Sequence, residues 1–150
     1  MQKQKRDSWC GPAALRNAVS CYGENRVSQK RIAHHAGTTD EGSDEHDLIR
    51  AIDMLGFVPH EIDTDDDNEA RRWLEHRSPC VPLVLCVDRW LHWVAVTGQC
   101  AGRVMVVDTE HPHTLVQPTR VSRLMKRWRA SRAQRSEGGL YYGIAVLRKQ

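Results

Sequence analysis

Apolar positions recur at helical spacing through the first third of the chain and at strand spacing through most of the rest. In "CGPAALRNAVSCYG", Leu15, Ala18, Val19 and Tyr22 fall on one helical face, and Gly23 follows as a stop. Pro12 suits the first turn, where its missing N–H costs nothing. "VSQKRIAHHAG" predicts a short helix capped by Ser28 and closed by Gly37. "GSDEHDLIRAIDMLG" predicts a third, with Ser43 as cap, Leu48, Ile49, Ile52 and Leu55 as its buried stripe, and Gly56 as stop. Strand-like runs then take over. "FVPHEID" reads as a strand and "NEARRWLEHR" as a short amphipathic helix. "CVPLVLCV", "HWVAVTGQ" and "RVMVVDT" are β-branched and read as central strands, with the last turn at 99–102. "RVSRLMKRWRASRAQR" predicts a basic helix and "GLYYGIAVLR" a final strand. Helices followed by strands predict an α+β fold in which N-terminal helices pack on an antiparallel sheet. A length of 150 residues suits one domain spanning 1–150.

Composition narrows the class. The chain is 40% hydrophobic and 27% charged, which is the balance of a globular protein. A net charge of +3 is too small to point to nucleic acid. The charge is uneven, however: 40–75 is rich in Asp and Glu, and 120–135 in Arg. The cysteines are Cys10, Cys21, Cys80, Cys86 and Cys100, an odd set without a C-x-x-C pair. That predicts neither a disulfide framework nor a zinc knuckle, and free thiols predict a reducing, cytoplasmic setting. The basic start "MQKQKRD" is not followed by an apolar run, so no signal peptide is expected, and no stretch is apolar enough to span a membrane.

The candidate chemistry begins at "WCGPAAL", where a cysteine stands at the mouth of the first helix. The positive end of a helix stabilises a thiolate, so Cys10 is the candidate nucleophile. Gly11 is expected to leave room for a substrate backbone beside the sulfur. Gln4, six positions earlier, offers a carboxamide that with the Cys10 N–H makes a two-donor oxyanion hole; Gln2 is its rival. His92 opens an otherwise apolar strand and is the candidate general base. Asp108 closes the next strand. A hairpin folded about Cys100 would pair 92 with 108, 94 with 106 and 96 with 104, close enough for the carboxylate to orient the imidazole.

These residues resemble the papain-like cysteine peptidases. The short form "Q-x5-C-G-P-A-A-L … H-W-V-A-V … V-V-D" resembles the bacteriocin-processing, double-glycine leader peptidase family and its stand-alone relatives. The resemblance implies a papain-like fold in which Cys10 is the nucleophile, His92 the base, Asp108 its orienter and Gln4 the oxyanion donor. It implies cleavage of a peptide or protein substrate through a thioester, without a cofactor or metal. Trp9 stands where better-known members carry an acidic residue, and "DTEHP" departs from the usual Asp-Pro. Members are commonly fused to a transporter; none is apparent here, so a separate transporter is the expected partner. Trp9 and Trp93 adjoin the catalytic positions in sequence and are candidates to wall a slot for small residues such as a double glycine.

Other readings use the same residues. A Cys-His-Asp constellation also serves glutamine deamidases and acyl transferases. A catalytically dead peptide-binding module would have lost one of the four positions, and all four are filled. "VSQKRIAHHAGTT" resembles the first half of a DNA-binding helix-turn-helix, but the acidic "DEGSDEHD" that follows would repel phosphate. His111 and His113 lack spaced partners for a metal. Gly138-Gly139 reads as a turn before the last strand. The basic segment 120–135 is expected to pack an apolar stripe (Leu124, Met125, Trp128) on the sheet, and is the candidate contact for an acidic partner or substrate tail.

Overall fold

A computed structural model describes residues 1–110 and 114–150, so His111 and His113 lie outside the described residues. The element order is α1 (Cys10–Ser20), α2 (Gln29–Ala36), α3 (Glu45–Met54), β1 (Phe57–Thr64), α4 (Asp67–Arg77), β2 (Leu83–Val87), β3 (His92–Cys100), β4 (Arg103–Val107), β5 (Val116–Arg120), α5 (Val121–Trp128) and β6 (Tyr141–Arg148). The strands form one sheet in the order β1-β6-β2-β3-β4-β5, with every pair antiparallel. The fold is α+β, as the sequence predicts.

The near-continuous apolar runs of β2 and β3 have a physical cause: both faces of the sheet are covered. Trp93 and Ala95 join Leu15, Val19, Ile32, Leu48 and Ile52 in a core beneath α1–α3. Val94 and Val96 point the other way, into a second core with Leu74 of α4 and Leu124, Met125 and Trp128 of α5. The helices therefore form two layers, α1–α3 on one face and α4 and α5 on the other. Successive strand residues serve opposite cores, so alternation gives way to an unbroken apolar run.

Several local expectations are corrected. The N-cap of α3 is Asp44 rather than Ser43, because Asp44 and Asp47 close a reciprocal capping box. The basic helix stops at Trp128, and residues 129–135 leave it to meet acidic partners described below. β5 was unforeseen; "VQPTR" carries a proline, which an edge strand tolerates. The β3–β4 hairpin turns tightly at Ala101 and Gly102, both with positive φ. A bulge between Val96 and Gln99 then sets Val96 opposite Val106 and Ala95 opposite Val107. The register differs from the expected one by two residues. An even shift keeps every side chain on its face, so His92 and Asp108 still meet, diagonally.

Candidate active site

The N-terminal segment is tied down by two buried carboxamides. Asn17 on α1 bonds both backbone groups of Gln2 at 2.8 and 2.9 Å. Gln29 on α2 accepts from the Lys5 N–H at 3.0 Å and donates to the Lys3 carbonyl at 2.8 Å. Both side chains are fully buried, and sequence reasoning passed over them. Gln2 is thereby held away from the site, against Asn17 and Gln29. Gln4 is carried to the turn after β4, where its Oε1 accepts from Thr109 at 2.9 Å. Its Nε2 donates to the carbonyls of Arg6 and Asp7 at 3.1 and 3.0 Å and to Glu110 Oε1 at 3.3 Å. Those acceptors occupy the amide that the sequence assigns to an oxyanion hole.

Cys10 is the first residue of α1. The N-cap is Trp9, whose side chain makes no capping hydrogen bond, so the helix mouth beside the sulfur carries no competing cap. Gly11 is buried, and a Cβ there would stand 3.2 Å from Leu48 and 3.3 Å from Ser43. It serves close packing of α1 on α3 rather than opening room for a substrate backbone.

His92 begins β3 and is 5% exposed. Its Nε2 lies 2.8 Å from Asp108 Oδ1. Nδ1 has no hydrogen-bond partner and stands 3.5 Å from Glu110 Oε2. Burial works against the charged ring, yet the Asp108 carboxylate and the Cys10 sulfur outweigh it and push His92 from 6.5 up to about 10. Asp108 is also buried, which alone would raise it. The His92 ring, the Glu110 N–H and the Arg127 guanidinium instead hold its carboxyl far below the usual carboxylate range.

Arg127 is a residue that sequence reasoning did not single out for this role. It donates from Nη2 to Asp108 Oδ2 at 3.0 Å and forks onto Asp88 at 2.8 and 2.6 Å. The Asp88 N–H donates back to the Arg127 carbonyl at 2.9 Å. This grip anchors the loop before His92, where Asp88, Arg89 and Trp90 all have positive φ. Such a run costs roughly 1 kcal/mol or more per residue, so it persists only where neighbours over-determine it. The sequence signal was faint: an Arg on the polar side of α5 and an Asp in a β2–β3 turn.

The two candidate tryptophans do not share a wall. Trp9 is half-buried under the Arg6 guanidinium at 4.9 Å and borders a hollow with His34 and Asp40. Trp93 is buried, donates to the Ser43 carbonyl at 3.0 Å, and borders a different hollow with Cys86 and Trp90. Gly138-Gly139 is a turn against β1: a Cβ at Gly139 would collide with the Thr64 backbone, and Arg135 donates to the Gly139 carbonyl at 2.5 Å.

The acidic and basic stretches of the sequence largely answer one another. Arg129 pairs with Asp67 at 2.6 Å, Arg132 with Asp65 at 2.5 Å, and Arg135 with Asp63 at 2.9 Å. The second half of the basic segment thus clamps the chain before β6 to β1 and α4. The α3 helix presents Glu45 and Asp47 in its first turn, which disfavours the nucleic-acid reading.

The Peptidase C39 family model matches residues 1–130. The peptidase domain of Streptococcus ComA, a bi-functional ABC transporter of a quorum-sensing pathway, superposes with a TM-score of 0.74 at 20% identity, covering 99% of this chain and 97% of that one. A double glycine motif protease from an AMS/PCAT transporter, solved with its leader peptide, superposes at 0.72 with 12% identity, covering 98% and 89%. The peptidase domain of Streptococcus mutans ComA gives 0.65 at 17% identity, covering 97% of each chain. No curated protein matches the chain.

Proposed function

The chain belongs to the peptidase C39 family, and we propose from that premise that Cys10, His92 and Asp108 cleave a peptide backbone within a single domain, 1–150. The observation that carries this reading is the His92 ring, tied to Asp108 at 2.8 Å through Nε2, with Nδ1 lacking a hydrogen-bond partner and the Cys10 sulfur near enough to act on the ring. A ring fixed in this way can serve a cysteine nucleophile as base and acid.

The Cys10 thiolate attacks the scissile carbonyl carbon, and the carbonyl oxygen takes the charge. The Cys10 N–H and the Gln4 amide are the donors for it, once the substrate oxygen draws a Gln4 N–H from its present acceptors, the Arg6 and Asp7 carbonyls and Glu110. His92 Nδ1–H gives its proton to the departing amine as the C–N bond breaks, leaving a thioester. Water then attacks the thioester, passing a proton to Nδ1, and C–S cleavage returns the thiolate. Asp108 stays ionised throughout and keeps the ring oriented.

The substrate we propose is a peptide with small residues before the cut, a double glycine first. One similar structure is a double glycine motif protease from a transporter, and another is the peptidase domain of a bi-functional ABC transporter. A transporter that exports the cleaved peptide is the partner class this carries, with the reaction in the cytoplasm. No described helix is long and apolar enough to cross a membrane.

Product mass tests the reading. A double-glycine peptide incubated with the protein should give two fragments summing to substrate plus water, and none with Cys10→Ala. A one-dalton gain on an intact chain would identify a glutamine deamidase and overturn it.

A further inference from the structure

The arginines of the basic segment divide into two sets. Those from 127 onward have carboxylate partners. Arg120 and Arg123, with Arg103 from β4, are exposed and form no ion pair with any described residue. These three, with Arg127 and Asp108, line one cavity of about 720 Å³ beside the triad carboxylate.

The backbone forces the unpaired set together. Arg103 and Arg120 are direct cross-strand partners in the β4–β5 ladder. Directly opposed residues share a face with Cβ atoms ~5 Å apart, and like charges there repel. Arg123 and Arg127 are four apart on α5, where like charges again repel. The one carboxylate lining the cavity, Asp108, is already shared between His92 and Arg127. Four arginines therefore line one cavity in which the carboxylate among the described residues is already committed.

We propose that this cavity binds a small multivalent oxyanion, of the di- or triphosphate class. A phosphate group carries up to about two negative charges and three acceptor oxygens, so a short polyphosphate can engage several guanidinium forks at once. A lone carboxylate neutralises only one. The volume is that of a small-molecule site, within the usual range of roughly 300–1,000 Å³. No aromatic ring is among the described residues that line it, so the charged group itself is what the site recognises. The site goes beyond the peptidase reading and does not depend on it.

The probe is sodium tripolyphosphate, titrated calorimetrically into the full chain carrying Cys10→Ala at about 150 mM NaCl, where exposed charges are screened beyond ~8 Å. One saturable site is expected. Binding should weaken roughly tenfold or more in the Arg103→Gln/Arg120→Gln double variant, the loss of at least one charge-assisted hydrogen bond. Saturation should also shift the ring nitrogen resonances of His92, because Asp108 and Arg127 wall the cavity. Without the anion, the double variant should melt no lower than its parent, since it loses a repulsion, and a given concentration of tripolyphosphate should raise the Tm of the parent more than that of the variant. Unsaturable heat, undiminished binding in the double variant, unmoved His92 resonances, or binding of hexaglutamate in place of tripolyphosphate would each overturn the assignment. Cleavage by the unmutated protein is measured separately, so loss of this site leaves the peptidase reading standing, and the reverse.

Discussion

Cys10 and His92 are brought to the proposed site by opposite routes. Cys10 is delivered by one helix: α1 starts at the cysteine, buries Leu15, Ala18 and Val19 against the sheet, and packs on α3 through Gly11. The helix that carries it is set by signals within a few turns of chain, and its docking on α3 and the sheet is apolar. His92 is delivered by a network. Its ring is held by Asp108, Asp108 by Arg127, and Arg127 by Asp88, linking β3, the end of β4, α5 and the β2–β3 loop. The side of the proposed nucleophile is mainly apolar, and the side of the proposed base is long-range and charged. A local device survives most single substitutions elsewhere, whereas a chain of ion pairs passes a change at one end to the other.

The largest effects fall where the two sides meet. Cys10→Ala and His92→Ala should each lower kcat/KM by on the order of 10⁴-fold or more, as removal of a nucleophile or its base does elsewhere, with far-ultraviolet dichroism unchanged. If either variant retained a tenth of the activity, the two sides would not be one site.

Gln4→Ala is next. Loss of one oxyanion donor costs roughly 10²–10³-fold in kcat. Glu110 now holds that amide and faces Nδ1 of His92, so Glu110→Ala should raise kcat/KM rather than lower it. Steady-state kinetics of the two variants would sharpen the comparison. A silent Gln4→Ala would remove Gln4 from the site.

The charged side predicts a pH signature that the apolar side does not. His92 is raised to about 10, so its imidazolium persists until pH rises through that value and is lost above it. The alkaline fall of kcat/KM should lie near there, and should move to lower pH in Asp108→Asn, which removes the main raising partner. Asp108 is depressed, so its carboxylate is lost only in strong acid. Arg127→Gln takes a cation from it, and the acid limb should move to higher pH, with about a tenfold loss of activity, the equivalent of one weakened charge-assisted hydrogen bond. Arg127→Lys should restore part of both. A pH profile unmoved by Arg127→Gln would make that residue structural only.

The same contrast explains what could be read from the sequence. The α2 cap at Ser28, the start of α1 at Cys10 and the apolar strands β2–β4 depend on neighbours a few residues away, and local patterns report them. The Arg127–Asp88 grip joins residues 39 apart and leaves no periodic trace. The hairpin register turned on a bulge between Val96 and Gln99, whose sequence mark is Gly98, an isolated glycine in an apolar run that the sequence reading did not use. The even shift preserved the His92–Asp108 meeting, so that contact was legible although its register was not. The tryptophans were misread for a related reason. Adjacency in sequence places Trp93 on the opposite face of β3 from His92, since strand residues alternate.

The central claim is that Cys10 is activated by the ring that Asp108 holds, and thiol reactivity tests it most directly. Brief iodoacetamide treatment of the folded protein at mildly acid pH, followed by peptide mapping, should label Cys10 ahead of Cys21, Cys80, Cys86 and Cys100. Burial pushes the Cys86 and Cys21 thiols up, which keeps them slow. The account predicts that the Cys10 advantage disappears in His92→Ala. Equal labelling of several cysteines in the native protein, or an advantage that survives the loss of His92, would contradict it.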